Sequence, residues 1–355
     1  MRYLFVVQGD GRGHLTQAIT LSQLLQKNGH EVVEVLVGKS KEREIPVFFN
    51  KKIHAEVKTF ETPSLILKKD KKNFHLLKTI FYNLSIKRLQ KYLKTMAMMR
   101  ERIDVLQPDV VINFYEALVG FTHLRYRLKT PIICIGHQYL LQHPDYKFKK
   151  GTFVVRFHTA MCSIRAKKSL GLSFYQMEDA QLQKVAVVPP LLREEVRNLT
   201  PICGNYILGY MVNQGFEAEV RQWHTENPDT QLHVFWDKKQ SEKEHKIDET
   251  LSFHALDDEK FLQYMNACKG YITTAGFESV CEAMYLDKPI MMIPAHTEQE
   301  INAVDAASVH AGIVGRSFNI SLLMDSFGKR TFDHKAFKQW VDSAEEVFLR
   351  ELAEI

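Results

Sequence analysis

The sequence predicts an α/β protein made of two doubly wound domains with parallel sheets. Three observations predict it. Short apolar runs alternate with helical patterns in both halves, a proline pair interrupts that alternation near the middle, and 355 residues are too many for one ordinary core but suit two. The composition, 45% hydrophobic and 25% charged, is that of a globular protein.

Residues 3–8 (YLFVVQ) read as a buried strand, because a short apolar run closed by glycine is what a parallel sheet needs. After a glycine-rich turn, Leu15, Ala18, Ile19, Leu21, Leu24 and Leu25 fall at helical spacing over 15–27, and Asn28 with Gly29 supplies the stop. VVEVLV (32–37) is the next strand, so the chain opens with a βαβ unit. VVINF (110–114) and PIICIG (131–136) continue the series, each after a helical stretch. Val187, Val188, Pro189 and Pro190 then break it, since consecutive prolines fit neither a helix nor a central strand and instead fix an extended connector. This sets the expected domains at 1–188 and 189–333. The second series runs through YILGYMV (206–212), LHVFW (232–236), GYITT (270–274), PIMMIP (289–294) and GIVG (312–315), and 334–355 reads as one amphipathic helix.

Five scattered cysteines without a C-x-x-C pair point away from a zinc site or a disulfide framework and toward a reducing cytoplasm. The opening Met1, Arg2 and Tyr3 lead directly into a strand, with no signal-peptide core expected, and no apolar run approaches the ~18 residues of a membrane span. Charge is uneven: between 51 and 100 thirteen basic residues face three acidic ones, a local balance of +10 that leaves −5 for the rest of the chain. No nucleic-acid-binding motif accompanies this charge, so nucleic acid is not an expected partner. Apolar residues at helical spacing, among them Leu77, Ile80, Phe81, Leu84, Leu89, Tyr92 and Leu93, interleave with Lys78, Lys87, Arg88, Lys91 and Lys94. That pattern fits a helix packed on the first sheet with its lysines in water. It fits equally an anionic membrane surface contacted through 65–102, on the inner face of the membrane.

Three motifs carry chemistry. The first βα turn reads Gly9, Asp10, Gly11, Arg12, Gly13, His14. A dinucleotide fingerprint would need glycine at position 14, and the second strand ends Val37, Gly38, Lys39 without the carboxylate that holds an NAD ribose, so nicotinamide chemistry is disfavoured. What remains is a backbone able to approach a ligand at Gly11 and Gly13, and an imidazole at a helix start. The positive end of the helix favours the neutral ring, as a general base requires. At this stage His14 reads either as that base or as a helix cap.

The second motif, TTAGFESVCEAMYLDKPIMMIP (273–294), is strand, tight turn, helix and strand. Thr274, Gly276, Phe277 and Ser279 stand at the helix start, an anion site suited to a diphosphate. Glu282 lies one turn beyond Glu278 on the same face, where a carboxylate can accept two bonds from a ribose diol or simply face solvent. In the third motif, EQEINA (298–303), Glu298 and Gln299 present groups suited to sugar hydroxyls, while Asn302 fits an ordinary polar helix position.

With GHQYLLQHP (136–144) and VVPPLLR (187–193), these motifs make nearly the whole chain resemble the GT-B glycosyltransferases, two Rossmann-like domains facing a cleft. The branch resembled includes the peptidoglycan N-acetylglucosaminyltransferase, the galactolipid synthases and the UDP-dependent glucosyl- and glucuronosyltransferases. The resemblance implies that the first domain receives a lipid or glycan acceptor, with His137 and Gln138 on the acceptor side. It implies that His14 deprotonates the acceptor hydroxyl, Gly276 and Ser279 hold the diphosphate, Glu282 the ribose, and Glu298 with Gln299 the sugar of a UDP-sugar donor. No cofactor is implied, and the helix 334–355 crosses back onto the first domain. Relatives often pair the histidine with a carboxylate just after the strand matching 110–114; here Glu116 is the nearest acid. Plant-type relatives carry histidine where this chain has Thr274.

Retaining relatives show E-x7-E ending on the ribose glutamate, and counting eight positions back from Glu282 gives Thr274, so single displacement with inversion is expected. A D-x-D clamp is missing, and a helix N-terminus can carry the diphosphate charge without a metal. Two alternatives stay open. A sugar-nucleotide epimerase would turn over donor without acceptor, and a non-catalytic nucleotide-sugar-binding protein would bind UDP with no activity sensitive to His14.

Overall fold

The computed structural model describes residues 1–41, 44–63, 75–146, 152–211, 214–236, 243–329 and 332–355. They divide into two compact units, one holding residues up to Arg193 together with Trp340–Ile355, the other Glu194–Gln339. Each unit is built on one seven-stranded sheet.

The first sheet comprises β1 (Arg2–Gln8), β2 (Glu31–Lys39), β3 (Val57–Glu61), β4 (Val110–Phe114), β5 (Ile132–Gly136), β6 (Lys168–Leu172) and β7 (Val185–Val188). Its order is β3-β2-β1-β4-β5-β6-β7, with every pair parallel. β4 and β5 are buried at every residue, which is why their sequences are unbroken apolar runs. Helices cover the faces, and one of them, Ile86–Leu106, turns Tyr92, Met99 and Ile103 onto the core that contains Leu4, Leu36 and Val111.

Buried Glu34 on β2 fastens this helix: its carboxylate accepts from Arg102 at 2.7 and 2.9 Å and from Lys58 at 2.6 Å. Glu61 similarly receives Arg88 at 3.1 Å and Lys91 at 2.6 Å. Part of the basic segment is therefore spent inside the unit. Its apolar stripe is divided as well. Instead of one helix, Leu76–Asn83 ends at Leu84 and Ile86–Leu106 begins after Ser85. Tyr92 packs inward, whereas Phe81 is 75% and Ile86 76% exposed. Lys68, Lys69, Lys71 and Lys72 lie outside the described residues, as does Val212 at the end of an expected strand.

The second sheet comprises β8 (Ile207–Met211), β9 (Leu232–Trp236), β10 (Glu244–Lys246), β11 (Leu251–Ala255), β12 (Gly270–Thr273), β13 (Ile290–Met292) and β14 (Ile313–Val314). The order is β10-β11-β9-β8-β12-β13-β14, parallel except for the hairpin β10–β11.

In each sheet the order reverses beside the first strand of its unit, between β1 and β4 and between β8 and β12. Chain connections leave such a point in opposite directions and open a crevice at the carboxyl ends of the two strands. The turn carrying His14 follows β1, Glu116 follows β4, and Thr274 to Ser279 follow β12.

Two expectations need correction. Val187 and Val188 end β7 instead of opening the connector, because they pair with Gly171 and Leu172 of β6; the compact unit then continues through buried Leu191, Leu192 and Arg193. The final stretch is two helices, His334–Asp342 and Ala344–Ala353. Ser343 divides them, its hydroxyl turned back to the Trp340 carbonyl at 2.7 Å, a local bond that competes with helix continuation. Ala344–Ala353 buries Phe348 and Leu352 in the first unit, where Lys168 pairs with Glu351 and Lys27 reaches Glu345 at 2.7 Å.

Candidate active site

In the first unit Gly11 is the N-cap of the helix Arg12–Lys27, so Gly13 and His14 stand in its first turn. His14 is not the capping residue. Its Nδ1 lies 3.2 Å from the Gln17 amide oxygen, and its ring stacks on Tyr115 with centroids 5.5 Å apart. Tyr115 is itself held on the far side, its hydroxyl 2.9 Å from Thr159 Oγ1. The fold thus brings the turn after β1 and the turn after β4 together through a ring contact.

Tyr115 adopts φ 63°, a left-handed conformation that costs a non-glycine residue about 1 kcal/mol. Asn113 compensates by bracketing the turn: its amide oxygen accepts from the Glu116 N–H at 2.8 Å and its amide nitrogen donates to the Glu116 carbonyl at 3.1 Å. Glu116 then caps the helix Ala117–Tyr126, accepting from the Leu118 N–H at 3.1 Å, and Thr62 Oγ1 donates to both carboxylate oxygens at 2.8 and 2.9 Å. Only 1% of the residue is exposed, and Gly38 on β2 makes the room, since a methyl group there would collide with the carboxylate and with the Phe60 ring.

Burial pushes the Glu116 carboxyl up to about 7, with nearby Asp10 adding to the rise and the Leu118 and Thr62 bonds opposing it. His137 and Gln138 are both buried in the short 3-10 turn after β5. Both His137 nitrogens have partners, Nδ1 the Leu172 carbonyl at 2.7 Å and Nε2 the Tyr146 hydroxyl at 3.3 Å, so this ring braces the turn.

In the second unit β12 leads through Thr274 and Ala275 to Gly276, the N-cap of the helix Phe277–Tyr285. Ala275 has φ 63°, and the Asn302 amide pins the turn by donating to the Ala275 carbonyl at 3.0 Å. All residues of the helix are buried, Glu282 at 3% exposure included, which removes the solvated reading of that carboxylate. Glu278, Glu282 and Asp305 all bear on the buried Cys281 thiol, which desolvation first and these carboxylates second push well above its ordinary value.

Two polar atoms at this turn have no hydrogen-bond partner although buried, Thr274 Oγ1 and Asn302 Oδ1. A buried polar group without a partner costs ~1–3 kcal/mol. The glycine at 276 is not dictated by the fold. Its φ is −66°, and a Cβ there would meet only Ser279 Oγ at 3.7 Å, so neither backbone nor packing calls for glycine. Gln299 is buried on the helix Thr297–Ser308 with its amide oxygen accepting from the Ala295 N–H at 2.9 Å, while Glu298 is half-buried beside it.

Sequence reasoning missed Thr62, Tyr115 and Gly38 in the first unit and the role of Asn302 in the second. Asn113 three residues before Glu116 was the available signal, the spacing of a side chain that closes a turn.

The raised Glu116 carboxyl gives a stability prediction. The fold favours its protonated form, so that contribution is complete below the ordinary carboxylate value near 4.5 and is lost as pH rises toward about 7. Glu116→Gln cannot ionise. Denaturant titrations should show wild type and variant similar at pH 4.5, with the variant more stable by on the order of 3 kcal/mol above pH 7. A difference that does not change with pH would contradict the raised value.

Comparison with known proteins follows the same lines. A family model described as glycosyl transferase family 1 matches residues 1–327. Among solved structures, UGT2 of Phytolacca americana complexed with UDP-2fluoro-glucose and pterostilbene superposes with a TM-score of 0.64 at 13% identity, covering 100% of this chain and 99% of that one. The glycotransferase of kitacinnamycin gives 0.63 at 14% identity over 98% of each chain. The calicheamicin glycosyltransferase CalG4 gives 0.62 at 13%, over 100% of this chain and 98% of the other. No curated protein matches by sequence. At these identities the structural likeness establishes the GT-B fold, and the family match over most of the chain establishes the class: the protein belongs to glycosyl transferase family 1 and is a glycosyltransferase.

Proposed function

We propose that this glycosyltransferase moves a sugar from a UDP-type donor to an acceptor hydroxyl with inversion and without a metal. The second unit holds the donor and His14 in the first unit is the general base. The observation that carries the reading is the buried, unpartnered Thr274 hydroxyl beside the start of a buried helix that contains Glu282. A phosphate oxygen accepts from that hydroxyl and from the helix N–H groups, and the positive helix end stabilises its charge. Gly276 lets the phosphate approach and Ser279 adds a second hydroxyl. Glu282 accepts from the ribose diol, and Glu298 with Gln299 meets the sugar hydroxyls. His14, with its ring steadied by Tyr115, takes the acceptor proton as the hydroxyl oxygen attacks. The acceptor is a lipid or glycan hydroxyl.

Binding and chemistry should separate by unit. In calorimetry with UDP, Glu282→Ala should lose roughly 2–4 kcal/mol of affinity, two charge-assisted bonds, and Thr274→Val about 5- to 10-fold with Tm unchanged or raised, because valine removes the orphaned hydroxyl. His14→Ala should bind UDP normally while transfer falls ~10²-fold or more. Unchanged UDP affinity in both second-unit variants would sink the donor assignment, and wild-type turnover by His14→Ala would sink the base.

A second reading concerns location. Among the described residues no helix is long and apolar enough to cross a membrane. The exposure of Ile80, Phe81, Leu84, Ile86, Leu89 and Leu93 beside exposed Lys78, Lys87 and Lys94 supports contact of 65–102 with an anionic membrane surface. Each engaged basic residue contributes ~1 kcal/mol there. The chain should sediment with vesicles containing phosphatidylserine at low salt and be released at high salt, and Phe81→Ser with Ile86→Ser should abolish sedimentation at unchanged Tm. Binding indifferent to lipid charge and to both substitutions would contradict a docking role.

A further inference from the structure

We infer that Gln17 is the residue that orients the His14 base, placing its proton on Nδ1 and leaving Nε2 to accept. The inference rests on His14 being the base. An amide oxygen can only accept, so with Gln17 Oε1 at 3.2 Å the hydrogen must be on His14 Nδ1. In a neutral ring Nε2 then carries the lone pair.

The pair is built into the helix Arg12–Lys27, where residues three apart share a face. Gln17 is 2% exposed while His14 is half-buried, so the orienting group is fixed within the unit and the imidazole is the part that reaches outward. Tyr115 supplies the second restraint. Its ring lies at 29° to the imidazole, limiting the plane, while Gln17 limits rotation within that plane. Glu116 receives Thr62 and the Leu118 N–H.

An amide and a carboxylate differ in what they do for a base. Both fix the tautomer, but only the carboxylate favours the imidazolium by its charge. In the transfer step the acceptor hydroxyl proton passes to Nε2 as its oxygen bonds the anomeric carbon. The bond from that carbon to the diphosphate breaks, and the electron pair leaves with the nucleoside diphosphate. Gln17 steers this proton without adding a counter-charge, so the base is set to release it readily.

The test reads the tautomer directly. In protein labelled with 15N-histidine, two-bond 1H–15N correlations report which nitrogen is protonated, and His14→Asn identifies the resonances. Wild type should show Nδ1–H at His14. Gln17→Leu should shift the ring toward Nε2–H and lower kcat roughly 10- to 100-fold, with donor KM and Tm preserved. Gln17→Glu, nearly identical in shape, should keep Nδ1–H and move the acid limb of the kcat/KM profile to higher pH. Nε2–H in the wild type, or the same tautomer in Gln17→Leu, overturns the inference. So does an acid limb unmoved in Gln17→Glu. If the tautomer behaves as described but His14→Ala transfers normally, the orientation stands and the base assignment falls.

Discussion

The structure depends on one constraint, the reversal of strand order beside β1 and again beside β8. A right-handed crossover on either side of a parallel strand sends successive connections to opposite faces, so the carboxyl ends at the reversal are left open. Each such end needs a sharp exit into a helix. In each unit one of these exits passes through a left-handed residue without glycine's freedom, Tyr115 after β4 and Ala275 after β12. Both are held by asparagine amides, Asn113 within its own turn and Asn302 from the following helix. The strain is small beside what it positions: a ring for His14 to rest on, and the start of a buried helix.

The two units handle charge in opposite ways. The first buries one carboxyl at its reversal and raises it to about 7, so that it is only partly ionised at neutral pH. The second gathers Glu278, Glu282 and Asp305 around one buried thiol, with Glu278 in the first turn of its helix and Asp305 on the helix Thr297–Ser308. On the proposed reading Glu282 meets hydroxyls, which donate, and the diphosphate meets N–H groups and Thr274.

Much of the fold was legible because parallel central strands are buried on both faces and leave unbroken apolar runs. β4 and β9 were read at their observed bounds. Three of the strands that escaped notice carry polar residues with distant partners. β6 begins at Lys168, which pairs with Glu351 and Glu354, and β11 contains His254, bonded to His233 of β9 at 3.0 Å. The edge strand β3 holds Lys58, whose partner Glu34 stands on β2. At the site, residue types and spacing singled out His14, Thr274, Gly276 and Glu282, because those chemistries lie close together in the chain. Their surroundings did not show. Thr62 reaches Glu116 across 54 positions and Asn302 reaches Ala275 across 27, distances at which local pattern carries no information.

The central claim is a single displacement at the anomeric carbon, with His14 as the base. Product stereochemistry tests it most directly. With an α-linked UDP-sugar that the protein turns over, the anomeric proton of the transferred sugar, followed by 1H NMR from the first turnovers, should report a β-glycoside. An α-glycoside would contradict single displacement and with it the role given to His14.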